Sequence, residues 1–214
     1  MALVQIPFPG LPLEYGRTSN PVVVIVHDWY GRLPWLEDYG RAIAQQGFHV
    51  LVPDLYNGWA TTDEAAAEGL LDKLDLAGAL DHIGDLARSE RAAGAPHIGL
   101  IGFSMGGWFS LTLAKSGEID AAVAYYATLD DDEHRVLPCP VQLHFAEIDD
   151  WAPSGDPDSF VARLREDGTT VERHDYFGTE HSFANASVPE LLDKNAAALA
   201  FARTTAFLQR QLID

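Results

Sequence analysis

Ser104, Asp149 and His181 are the residues whose types and order in the chain fit nucleophilic catalysis. Ser104 lies in Gly102-Phe103-Ser104-Met105-Gly106, a G-x-S-x-G pattern. The apolar run ending at Gly102 suits a strand buried on both faces, and Trp108 to Ala114 has the spacing of a packed helix. The serine is therefore expected in a sharp strand-to-helix turn that lifts its hydroxyl clear of the sheet. The flanking glycines leave room for crowded backbone. The helix start offers unpaired N–H groups and a positive dipole end to a developing oxyanion. A serine hydroxyl is a poor nucleophile until a base takes its proton. A histidine does this near neutral pH when a carboxylate fixes its tautomer and steadies the imidazolium.

Asp149 follows a predicted strand at 141–145, and His181 follows a weakly alternating one at 169–176. Other residues compete for these roles. Of the eight histidines, His27 heads the first loop, His144 falls inside a strand and His174 lies in the alternating stretch. Asp149 and Asp150 are adjacent, and the residues alone leave both open as the carboxylate.

Strands and helices alternate along the chain. The expected strands are Pro21–Val26, Phe48–Val52, the run before Ser104, Ile119–Ala127, Val141–Phe145 and an edge strand at Thr169–Tyr176. Residues 1–20, rich in proline, leave room for one or two short edge strands. Leu36, Tyr39 and Ile43 mark one helix, stopped at Gly47. Thr61 and Glu64 form a capping-box pattern before an alanine-rich helix. Leu76, Leu80, Ile83 and Ala87 continue as a helical stripe, with a break near Asp72–Asp75. Asp156 and Pro157 open another helix, with Phe160, Val161 and Leu164 inward and Gly168 after it. A last helix carries Ala197, Phe201, Leu208 and Leu212 on one face. This order implies an α/β fold: a mostly parallel central sheet with helices on both faces, formed by one domain over 1–214. In such sheets chemistry sits at the carboxyl ends of the strands.

The formal net charge is -18, so the surface repels nucleic acid and anionic membranes. No run approaches a membrane span, and the N-terminus lacks the regions of a signal peptide; a cytoplasmic protein is expected. Cys139 is the single cysteine, which excludes an internal disulfide; a small buried hydrophobe is its expected role. No His/Cys/Asp cluster has convincing ligand spacing, so no metal is expected.

The chain resembles the dienelactone hydrolases, a family of the α/β-hydrolase fold. The resemblance runs from Val22 onward and rests on five segments. These are His27-Asp28-Trp29-Tyr30-Gly31, Val52-Pro53-Asp54-Leu55-Tyr56, Gly102 to Gly107, Asp149-Asp150-Trp151-Ala152-Pro153 and His181-Ser182-Phe183-Ala184. It implies hydrolysis of a small carboxylic ester or lactone through an acyl-enzyme, without metal or cofactor; the loop at 128–138 is too short for a large lid, so a fold without a large cap is expected. It implies a triad of Ser104, His181 and Asp149, the acid standing four residues before Pro153. It also implies an oxyanion hole from the backbone N–H groups of Trp29 and Met105. Three departures stand out: the best-known members have cysteine where Ser104 stands and glutamate where Asp28 stands. Those acting on dienelactone have arginine where Asn185 stands.

The aromatics of the loops suggest an apolar pocket. Trp29, Trp59 and Trp151 each lie just past a predicted strand, Trp108 is one turn past Ser104, and Phe183 follows His181. Asp28 is a candidate for tuning the site by hydrogen bonding. The loops assigned to the active face hold Asp28, Asp54, Asp149, Asp150 and Glu180 and no lysine or arginine; Arg32, His134 and Arg135 are the nearest cations. The expected protein is a serine esterase or lactonase. A non-catalytic receptor on the same fold and a thioesterase are the alternatives, and the oligomeric state is not legible.

Overall fold

The computed structural model describes residues 3–130, 136–150 and 156–214. Seven strands form the central sheet: β2 (Leu13–Tyr15), β3 (Val22–Val26), β4 (His49–Val52), β6 (Ile98–Phe103), β7 (Ala121–Tyr125), β8 (Val141–Ile148) and β9 (Val171–Glu180). Their spatial order is β2-β4-β3-β6-β7-β8-β9, with β2 antiparallel to β4 and the others parallel. Two further strands, β1 (Val4–Gln5) and β5 (Trp59–Ala60), pair with each other outside it. The helices are α1 (Trp35–Gln45), α2 (Glu64–Leu71), α3 (Leu76–Ala92), α4 (Met105–Ala114), α5 (Pro157–Glu166) and α6 (Lys194–Leu212).

Strand alternation explains how one sheet serves two layers of helices. Val23, Ile25, Ile101, Phe103 and Val123 point to one face, where Leu36 and Ile43 of α1 and Phe207 and Leu208 of α6 cover them. Val22, Val24, Leu100, Ala122 and Leu143 point to the other, under Ile83 of α3, Phe109 of α4 and Phe160 of α5. Every residue of β3 and β6 is buried, as their unbroken apolar runs require.

Several local expectations shift. The N-cap of α2 is Asp63, whose carboxylate accepts from Ala66 N–H, while Thr61 Oγ1 accepts from Asp63 N–H. The helix begins at Glu64, two residues later than a box at Thr61 requires, so Asp63 holds the cap and the Thr61–Glu64 box does not form. The helical region does break where expected, with Asp75 capping α3. The buried stripe of α3 is Ala79, Ile83 and Ala87, while Leu76 is exposed. Cys139 is buried. Among the described residues no helix is long and apolar enough to cross a membrane, and no group of three or more His, Cys, Asp or Glu could hold a metal.

Candidate active site

The turn between β6 and α4 carries Ser104 at φ 52° and ψ -115°, a conformation rare for any residue but glycine. It is tolerated because the neighbours have no side chains to collide. A Cβ on Gly102 would meet the Gly106 carbonyl oxygen at 1.9 Å, and one on Gly106 would meet the Val26 carbonyl oxygen at 2.4 Å. The turn is tied down by Ser104 N–H donating to the Tyr125 carbonyl at 2.9 Å and Trp108 N–H donating to the Ser104 carbonyl at 3.0 Å. The strained serine therefore sits at the carboxyl edge of the sheet, half-buried, with the N-terminus of α4 behind it. Met105 is the first residue of that helix, so its N–H has no intrahelical partner.

β8 and β9 outrun their neighbours and carry the other two groups together. Ile148 pairs with Glu180 beyond a register shift at Ala146–Ile148, and His181 N–H donates to the Ile148 carbonyl at 3.1 Å. Asp149 and His181 are the next residues on the two strands. His181 Nδ1 lies 2.8 Å from Asp149 Oδ1, and His181 Nε2 lies 2.7 Å from Ser104 Oγ. An ionised carboxylate can only accept, so Nδ1 carries the proton and Nε2 presents its lone pair to the serine. The Tyr126 ring tilts against the imidazole at 4.9 Å, and Phe183, wholly buried, packs on Tyr126 and Tyr176 and pins the histidine loop from behind.

The rival histidines are placed elsewhere. His27 is buried; its Nδ1 donates to the Asp28 carbonyl at 2.6 Å and its Nε2 accepts from Leu55 N–H at 3.2 Å. It joins the loops after β3 and β4, and burial lowers its pKa to about 4. His144 lies inside β8, and its neighbour His174 reaches the Gln142 amide at 3.3 Å.

Asp28 is buried, and it binds two loops. Its Oδ1 accepts from Tyr30 N–H at 3.0 Å and its Oδ2 from the Asn185 amide at 2.8 Å. The first contact fixes the loop that contains Trp29; the second reaches the turn just after His181. Burial raises the Asp28 carboxyl to about 6, against the hydrogen bonds from Asn185 and Tyr30 that favour its ionised form. The sequence offers no signal for the Asn185 contact, because 157 residues separate the pair.

A cavity of about 160 Å³ opens beside His181, with Trp29, Ile148 and Leu191 among its walls. Three of the other predicted pocket aromatics lie off it. Trp59 lines a separate cavity of about 530 Å³ between the loop after β4 and α3, because the β1–β5 pair turns it away. Trp108 is half-buried against the core under α4. Phe183 belongs to the core rather than to the cavity wall. Trp151 lies outside the described residues, as do His134 and Arg135. Arg32 does not face this cavity: its guanidinium donates to the carbonyls of Pro7, Phe8, Leu11 and Val52.

The chain as a whole is similar to known proteins. The family model for the dienelactone hydrolase family matches residues 12–212. A carboxymethylenebutenolidase of Pseudomonas sp. strain P51 is 27% identical over 213 residues, covering 91% of this chain and 86% of the relative. Among solved structures, a Klebsiella pneumoniae protein assigned to the dienelactone hydrolases superposes with a TM-score of 0.77 at 21% identity, covering 98% of each chain. Esterase 2 of Thermogutta terrifontis superposes at 0.72 and 15% identity, covering 94% of this chain and 89% of its own.

Proposed function

Because the chain belongs to the dienelactone hydrolase family, we propose that it hydrolyses a small carboxylic ester or lactone through an acyl-enzyme formed on Ser104. The observation that carries the reading is the unbroken contact from Ser104 Oγ through His181 to Asp149, at 2.7 and 2.8 Å. Ser104 Oγ attacks the substrate carbonyl carbon as His181 Nε2 takes its proton, and the carbonyl oxygen becomes an oxyanion. The N–H groups of Trp29 and Met105 hold that oxyanion, with the α4 dipole behind them. The tetrahedral intermediate expels the alkoxide, which leaves as the alcohol with the proton from His181. Water then attacks the acyl-serine, His181 again taking and returning a proton, and the carboxylic acid departs. Asp149 holds the tautomer and stabilises the imidazolium throughout. Asp28 acts at one remove, by fixing the loop that carries Trp29.

The cavity suits a compact acyl or alcohol group. The single cysteine, buried, suits a reducing compartment, and the proposal places the enzyme in the cytoplasm.

The test is a panel of p-nitrophenyl esters and simple lactones assayed with wild type and Ser104→Ala, together with labelling by a fluorophosphonate probe. Turnover and labelling that both vanish in a folded Ser104→Ala variant are expected. A wild type that neither turns over any ester nor labels would mark a receptor and end the proposal.

A further inference from the structure

We infer that this site selects uncharged esters and rejects those that carry a free carboxylate on the acyl group. The inference rests on the hydrolase reading above and adds the substrate class. Three observations at different depths carry it.

At the mouth of the cavity beside His181, the charged residues among its described lining are Glu64, Asp150 and Glu180, all carboxylates and all exposed. Beneath it, the charge of Asp28 is answered by two neutral donors, Tyr30 N–H and the Asn185 amide, so when ionised it adds to the negative field. Asn185 is occupied by that contact and is not presented to a ligand. Beside it, the nearest arginine in sequence to the Trp29 loop is committed elsewhere. Arg32 is buried, and four backbone carbonyls of the N-terminal segment and β4 hold its guanidinium.

A substrate carboxylate entering this cavity would shed hydration without gaining a cation among the described residues, and would face like charge on several sides. An uncharged acyl chain meets neither cost and packs on Trp29, Ile148 and Leu191. Because the rim carboxylates are exposed, the part of the discrimination due to them must weaken as salt is added.

The experiment compares p-nitrophenyl butyrate with the p-nitrophenyl monoester of succinic acid, which share a leaving group and nearly the same length. Each is assayed at low and high sodium chloride, with wild type and with a Glu64→Gln/Asp150→Asn/Glu180→Gln variant. At low salt kcat/KM should favour the butyrate by roughly tenfold or more, the size expected of a few partly screened charges. The ratio should fall with added salt, and should fall again in the triple variant at low salt. Equal or faster turnover of the succinate ester overturns the inference; if that preference disappears in Arg135→Ala, Arg135 supplies the missing cation. A preference for butyrate untouched by salt, by the triple variant and by Asp28→Asn also overturns it, because cavity shape would then be the cause. Failure to hydrolyse either ester is a different result, and it brings down the hydrolase reading itself.

Discussion

Two histidines on neighbouring parts of the sheet use both ring nitrogens, yet one is structural and the other is the proposed base. His144 Nδ1 meets the Tyr176 hydroxyl at 2.7 Å, and its Nε2 meets Thr204 Oγ1 and Gln142 Oε1, each at 3.0 Å. Its ring stacks on Tyr125 at 4.3 Å, and Tyr125 in turn bonds Thr204 at 2.8 Å. The cluster joins β7, β8, β9 and α6 through side chains in the core. His144 is wholly buried among neutral partners, and burial holds its pKa well below 6.5. His181 keeps 13% of its side chain exposed, has a carboxylate on one nitrogen and faces a serine on strained backbone with the other. A histidine becomes a base when one partner can stabilise the imidazolium and the other can give up a proton. Hydrogen bonds alone do not suffice.

The largest expected effect tests that distinction from the catalytic side. Ser104→Ala should lower kcat/KM for a p-nitrophenyl ester by about three orders of magnitude or more while leaving the urea midpoint unchanged or higher. Strain at φ 52° persists with alanine, so large destabilisation is not expected. From the structural side, His144→Ala should lower unfolding free energy by about 2–4 kcal/mol through the cavity and the orphaned hydroxyls. The folded fraction should keep kcat/KM within a few-fold of wild type. Loss of turnover in well-folded His144→Ala would show that the two histidines are coupled and break the comparison.

Asp28 lies between the two cases, being buried like His144 but bonded to the loops that carry Trp29 and His181. Asp28→Asn places one amide against that of Asn185, so the strut opens. A fall in kcat/KM of roughly 10- to 100-fold is expected from displacing the loop proposed to hold the oxyanion, with kcat falling more than KM changes. Adding Asn185→Asp restores a donor and an acceptor in reversed order and should recover most of the loss. No recovery would mean that the carboxylate must stand at position 28 itself, and the strut would not be its role.

These contrasts also mark what the sequence could carry. The strands of the central sheet from β3 on, the serine turn and the order of Ser104, Asp149 and His181 are local signals: apolar runs, glycines that admit crowded backbone and polar residues past a strand; the ends were less so, since β8 and β9 run on to Ile148 and Glu180, beyond the expected Phe145 and Tyr176. The buried histidines were legible in part, since His144 falls inside an apolar strand. The Asp28–Asn185 bond, the inward turn of Arg32 and the burial of Phe183 were not legible. Each depends on how loops far apart in sequence pack, and periodicity contains nothing about that. Trp59 shows the limit most plainly: expected in a loop, it opens the short strand β5, whose pairing with β1 turns it to a different cavity.

The smallest effect concerns a third histidine and refines what burial does. A carbonyl can only accept and an N–H can only donate, so the Asp28 carbonyl and Leu55 N–H together specify neutral His27 with its proton on Nδ1. Protonation at Nε2 would break the Leu55 contact. With its pKa lowered from 6.5 to about 4, His27 contributes stability that is complete above pH 6.5 and is lost as pH falls toward about 4. Asp28 has the opposite sign. Raised from 3.8 to about 6, it favours the folded state when protonated, so its contribution grows as pH falls from about 6 to 3.8. Both side chains are buried, and between pH 7 and 5 the two largely offset each other in wild type. His27→Gln removes one side of that balance. Urea unfolding at pH 7 and 5 should therefore show the variant changing with acidification in the stabilising direction relative to wild type, by on the order of 1–2 kcal/mol. His144 titrates alike in both proteins and cancels from this difference. Parallel pH dependence in the two proteins would mean that His27 takes up its proton in the fold just as it does in the unfolded chain, and the Leu55 contact would not be what holds the two loops together.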